Sequence, residues 1–253
     1  MESGRNTIKN YQAYYFSMQE KVMYAGIGIC IAAVLASVFY QSWIAAILLQ
    51  GIVPLYLREK KKELCKKQKF RLNEQFKEVM LTVSVNLRAG YSVENAFREA
   101  YKDSCLMFGI DSDMSKELLR IAKGLDNNVI LENLLFDFGE RSGSDSIRDF
   151  AEIFQIAKRS GGDMYSIIQS TVAVICEKVE VKKEIETLLC AKKYEQKIMN
   201  AVPILIILYM RGTSPGFFNP LYHNLLGIII MTVCLGLYMA AYFLAKKITD
   251  IEI

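Results

Sequence analysis

The sequence predicts an all-α, polytopic membrane protein in which about four transmembrane helices frame an antiparallel helical bundle in the cytoplasm. Three observations carry this expectation. Residues 22–57 hold no charged side chain, and residues 198–245 hold only Arg211. Residues 72–181 contain no proline and repeat apolar side chains at helical spacing, as in Phe76, Val79, Met80, Val83, Leu87 and in Ile147, Phe150, Ile153, Phe154, Ala157. Basic runs border the apolar stretches where these meet the central part.

The N-terminal segment, residues 1–21, carries Glu2, Arg5, Lys9 and Glu20 and no small-residue cleavage site, so a removed signal peptide is not expected. Its aromatic residues Tyr11, Tyr14, Tyr15 and Phe16 allow two readings, lying in the membrane surface or packing against the central domain.

Residues 22–57 are too long for one straight span, since a bilayer core takes roughly 20 helical residues. Tyr40-Gln41-Ser42-Trp43 supplies a polar break flanked by interfacial aromatics, so a transmembrane hairpin with spans near 22–39 and 43–57 is expected. One tilted helix over 22–57 is the alternative.

Next comes "REKKKELCKKQKFR", residues 58–71, a strongly basic collar. Residues 182–197 form a weaker one, and Lys21, Lys246 and Lys247 flank the outer ends. The positive-inside rule then places both termini and residues 58–197 in the cytoplasm of a multi-pass plasma (inner) membrane protein. A topogenic role accounts for these cations, so nucleic acid is not an expected partner.

Between the collars, glycines and capping residues divide the chain into helices near 73–88, 93–105, 113–124, 129–138 and 145–159. "LRAGYSVENAF" (87–97) and "KRSGGDMYSII" (158–168) repeat one pattern: Gly90 or Gly161 closes a helix, with Gly162 following the second, and Ser92 or Asp163 caps the next. "RSGSD" (141–145) is a third version. These are read as tight helical corners. A phosphate cradle would need a preceding strand and a Lys-Ser or Lys-Thr, which are not there.

From about Asp163 nothing stops a helix before Pro203, so the last bundle helix is expected to be long and to continue into the third span, near 198–218. "RGTSPGFFNPLYHN" (211–224) marks a turn, and 224–245 reads as the fourth span, followed by a cytoplasmic tail at 246–253. Gly227, Gly236 and Ala240 could pack this span closely, either against partner helices or within this chain.

Chemistry-bearing patterns are scarce. His223 is the only histidine and reads as an interfacial polar residue, while the six cysteines stand apart and read as small buried hydrophobes. No catalytic, cofactor or metal residues are expected, and the protein is read as no enzyme. An ion-motor stator or transporter subunit is the alternative function; such machines need an ionisable group within the membrane, and the four expected spans contain no Asp, Glu or Lys.

The ordered set of membrane hairpin, basic collar, "F..VM..VSVNLRAGYSVENAFREA", "F..IFQIAKRSGGDMYSIIQ", "EVKKEIETLLCAKKYE", proline-bearing span and "FFNPLYHNLLG" resembles the type II secretion system F domain over about residues 60–250. Its layout is most similar to the inner-membrane platform proteins of tight-adherence (Flp) pilus systems. Relatives in the type II secretion and type IV pilus branch carry two tandem F domains, and this chain has room for one. The resemblance implies a scaffold that couples a cytoplasmic secretion ATPase to pilin transmembrane helices and filament assembly. It implies an oligomer held in membrane lipid, working with a paralogous platform protein and without a cofactor.

Overall fold

A computed structural model describes residues 10–12, 16, 18–40, 50–161, 163–214 and 225–249. Apart from short turns and corners, the described residues are helical, and none of them lies in a strand. In chain order the helices are α1 (Met18–Phe39), α2 (Val53–Arg88, preceded by a 3₁₀ turn at Gln50–Ile52), α3 (Val93–Phe108), α4 (Asp113–Asp126), α5 (Leu131–Ser142), α6 (Asp145–Ser160), α7 (Met164–Thr213) and α8 (Leu225–Thr249).

The helix order matches the expected one, with one difference at the start. The collar at 58–71 does not separate a span from the bundle; it lies inside α2, which begins at Val53. Lys and Arg have good helix propensity, and no glycine or proline occurs between Pro54 and Gly90 to stop the helix.

Two compact units form. The first combines Met1–Tyr15 with Lys62–Val181, and the second combines Phe16–Lys61 with Lys182–Ile253. The bundle unit is thus narrower than the segment 58–197 marked out by charge, and the N-terminal segment contributes to it. Helices α2 and α7 supply residues to both units.

In the first unit, consecutive helices reverse direction at short corners, and their apolar faces close over one core. Phe76 of α2 is its centre, with ring centroids 6.2 Å from Phe138 of α5 and 5.6 Å from Phe150 of α6. Val79, Met80 and Val83 continue that face of α2, and Ala96, Leu118, Leu135, Ile168 and Val172 bring in the other helices. Burying side chains of this size contributes about 1.5–3 kcal/mol each, which the modest intrinsic stability of helices of 12 to 16 residues requires.

In the second unit, Leu35 and Phe39 of α1 pack with Met231 and Leu235 of α8, joined by Ile204 and Ile207 of α7. Polar groups at this contact are paired: Tyr40 donates to Thr232 Oγ1 at 2.9 Å, Tyr238 to the Asn200 carbonyl at 2.9 Å, and Arg211 Nη1 to the Ser37 carbonyl at 2.9 Å. Gly28 of α1 lies close to α2, where an added Cβ would sit 3.3 Å from Val53 Cγ1. Pro203 has no N–H for the carbonyl one turn earlier, yet α7 continues through it.

Among the described residues, one segment, Met18–Ser37, is long and apolar enough to cross a bilayer, and Ile229–Ala245 is a shorter apolar helix. Of the other expected spans, 43–57 contributes only the 3₁₀ turn and the first turns of α2, with 43–49 outside the described residues. The span expected at 198–218 is described only to 214, and its described part, within the helix that ends at Thr213, is shorter than the roughly 20 apolar residues a bilayer core takes. The turn at 215–224, with His223, lies outside the described residues.

The cysteines depart from the expected burial. Cys30, Cys190 and Cys234 are exposed, and Cys65, Cys105 and Cys176 are half-buried. A hydrophobic residue on a helix faces inward only where a partner helix covers it, and composition alone does not give that.

Gly161 ends α6 in the left-handed conformation, φ 66° and ψ 21°, with open space where a Cβ would stand. Replacing Gly161 with Val therefore creates backbone strain without a clash, and a loss of about 1–2 kcal/mol in stability is expected. Chemical denaturation of the detergent-solubilised chain, followed by circular dichroism, measures it; an unchanged midpoint contradicts the strained corner.

Candidate functional site

The repeated corners are built as their residue types require. At the end of α2, the Tyr91 amide donates to the Asn86 carbonyl at 3.2 Å and the Gly90 amide to the Leu87 carbonyl at 3.0 Å, the paired closure of a Schellman motif, with Gly90 at φ 92°. Ser92 then caps α3, its Oγ accepting from the Asn95 amide at 3.4 Å. At the second corner Gly161 closes α6 and the Asp163 carboxylate accepts from the Tyr165 amide at 3.1 Å; Gly162 lies outside the described residues. "RSGSD" is a third corner, with Gly143 at φ 60° and Ser144 capping α6 through the Ile147 amide.

The two matching corners also meet. Lys158, one turn before the second, donates to Glu94 of α3 at 3.1 Å and to Glu132 of α5 at 3.2 Å. The Glu94 carboxyl is held below its usual range, first by the backbone amide at the start of α3 and then by Lys158. Burial opposes the charge on Lys158, but the two carboxylates outweigh it and raise its pKa. One ammonium thus draws the ends of α3, α5 and α6 together.

At the other end of the bundle is a constellation the sequence did not single out. Glu117 of α4 is only 4% exposed and accepts two parallel bonds from Arg141 of α5, Nη1 to Oε1 at 2.9 Å and Nη2 to Oε2 at 2.8 Å. Arg141 Nε reaches Asp137 Oδ2 at 2.9 Å. Into this pair comes Tyr11, 1% exposed, whose hydroxyl donates to Glu117 Oε1 at 3.1 Å and whose amide donates to the Arg141 carbonyl at 2.9 Å. Gln12 Nε2 donates to the Glu140 carbonyl at 2.7 Å, and the Cys65 thiol faces the Gln12 carbonyl at 3.5 Å.

Burial, then the Glu117 carboxylate, raises the Tyr11 hydroxyl far above its ordinary pKa, so it stays a donor. Burial disfavours the charged guanidinium, but Glu117 and Asp137 more than restore it and raise its pKa. Of the two readings for the aromatic N-terminal cluster, Tyr11 packs against the bundle; Tyr14 and Tyr15 lie outside the described residues. A signal for the pair was present. Glu117 falls on the apolar face of α4 among Met114, Leu118 and Ile121, where a charged side chain needs a partner.

On α8, Gly227 is buried, while Gly236 and Ala240 are exposed, with nothing within 4 Å of the place where a Cβ on Gly236 would stand. Among the described residues, no cluster of His, Cys, Asp or Glu could hold a metal ion.

No family model, curated protein or solved structure matches this chain.

Removing Arg141 while Glu117 stays buried leaves an uncompensated charge, so Arg141→Ala should cost about 3–5 kcal/mol in denaturant unfolding of the whole chain. The Lys158–Glu94 contact is worth less, since both groups are more than a third exposed. Glu94→Gln should lower stability at pH 7 by about 0.2–1 kcal/mol. Because the folded state lowers the Glu94 pKa from its ordinary 4.5, that contribution is present above pH 4.5 and fades as pH falls through the lower folded value. Denaturation midpoints of the wild type and E94Q should therefore converge as pH falls below 4.5.

Proposed function

We propose that this chain is an inner-membrane platform of a type IV (Flp/Tad-like) pilus or type II secretion machine, a scaffold rather than an enzyme. The observation that carries this reading is α7. Ile168, Val172, Ile175 and Val179 of this helix lie in the bundle core, and the same helix runs on without a break through Pro203 to Thr213. A continuous helix can pass a displacement of the bundle to apolar helices beyond it, which is the mechanical task of a platform. In this reading a cytoplasmic secretion ATPase moves the bundle, and the apolar helices hand pilin transmembrane helices to a growing filament. The exposed small residues Gly236 and Ala240 fit close approach by a pilin, by a second copy of the chain or by a paralogous platform protein.

The Tyr11 contact supports the four-span arrangement. Tyr11 precedes the first apolar stretch and Glu117 follows it, and their hydrogen bond requires both on one side of a membrane. In this reading the residues between them cross an even number of times, as a hairpin does. Both termini and the bundle are cytoplasmic in this proposal, and the protein sits as a multi-pass chain in the plasma membrane.

Deleting the gene from its host should abolish surface pili, read by electron microscopy and by pilin in the sheared fraction, with restoration by the wild-type gene. Normal piliation in a strain with no paralogue to substitute would sink the proposal.

A further inference from the structure

Residues 10–12 hold to the bundle by one buried side chain, Tyr11, while Asn10 and Gln12 on either side of it are exposed. The segment shapes its own turn, since the Gln12 amide donates to Asn10 Oδ1 at 2.9 Å. Its seat is the end of α5. A helix leaves its last four carbonyls without partners inside the helix. At the end of α5 the Ser142 hydroxyl donates to the Gly139 carbonyl at 2.7 Å, Gln12 Nε2 to that of Glu140 at 2.7 Å, and the Tyr11 amide to that of Arg141 at 2.9 Å. The Cys65 thiol of α2 faces the Tyr11 carbonyl at 3.8 Å and the Gln12 carbonyl at 3.5 Å, so the segment lies across it.

The seat keeps its charges matched when the segment lifts. Arg141 makes two bonds to Glu117 and one to Asp137 without help from Tyr11, so the ion pair survives and Glu117 loses one neutral donor. Water, which already reaches the exposed Glu140, can serve the carbonyls that Gln12 and Tyr11 leave. Lifting therefore uncovers one aromatic side chain and leaves the core around Phe76 in place, which is a local opening and not an unfolding of the bundle. The chain passes between the two units at 15–16, 61–62 and 181–182. The second and third crossings lie within α2 and α7, whereas the first precedes α1 and no described helix spans it. We propose that residues 10–12 are a latch on the end of α5. Closed, it ties the approach to α1 to the bundle; open, it releases that tie while Glu117 and Arg141 stay paired.

Alkylation of Cys65 reads the latch, and Cys176, half-buried against the same core, reads the bundle. The detergent-solubilised full-length chain is treated with N-ethylmaleimide, and labelling of each cysteine is timed by peptide mass spectrometry. Tyr11→Ala should speed Cys65 labelling by about tenfold or more, as expected when one large buried side chain no longer holds the segment down, and leave Cys176 within about twofold of the wild type. Tyr11→Phe keeps the ring and loses the Glu117 bond, so it should speed Cys65 labelling by less. In the wild type the Cys65 rate should change little with denaturant below the unfolding transition, because a local opening exposes little surface. A Cys65 rate that instead climbs with the slope of global unfolding, or a Y11A variant that speeds Cys176 as much as Cys65, makes the segment part of the bundle's one unfolding unit and overturns the latch. So does Cys65 labelling that Y11A leaves unchanged.

Discussion

A carboxylate on the apolar face of a helix sets much of this structure. Glu117 is turned into the bundle with Met114, Leu118 and Ile121, and a lone charge there would cost several kcal/mol. Arg141 answers with a fork of two hydrogen bonds, which fixes how α4 and α5 pair. The remaining acceptor capacity draws in Tyr11, and with it the segment that precedes the first apolar helix. A buried pair of this kind is weak evidence for net stability, since apolar groups of similar size often bury as well. An apolar triplet of similar size would bury as well, but it would not select one tyrosine from a cluster of aromatic residues.

The opposite end of the bundle obeys a different constraint. Several helix ends gather there, each with backbone groups that need partners. Gly90 and Gly161 satisfy them by turning left-handed, Ser92 and Asp163 by capping, and Lys158 neutralises the carboxylates brought close as a result. The repeated corner is therefore the same local solution applied twice at one end of a bundle. It organises the helices and does not by itself hold a ligand.

The platform reading follows from how these parts connect. The bundle carries the two matching corners at one end and a buried ion pair at the other. Its last helix extends past the core as a single element, so a force on the bundle has a path outward along hydrogen-bonded backbone. Exposed apolar side chains on α7 and α8, among them Leu205, Tyr209, Val233 and Leu237, are surfaces that need lipid or partner helices to cover them.

Local signals were enough to read the all-helical class, the corners at Gly90 and Gly161, the caps at Ser92 and Asp163 and the long final helix, because each depends on residues within one turn of itself. The acid Glu117 was equally visible as a charge in an apolar stripe, but its partner was not, since Arg141 lies on another helix and Tyr11 far earlier in the chain. The collar at 58–71 read as a boundary because charge differs sharply across it, yet a helix backbone is indifferent to that change and α2 runs through. The cysteines were misjudged for a related reason: burial belongs to the face a neighbour covers. Sequence thus determined where helices start, stop and turn, while tertiary structure decided which faces meet, because a buried charge or an apolar side chain finds its partner by distance in space and not along the chain.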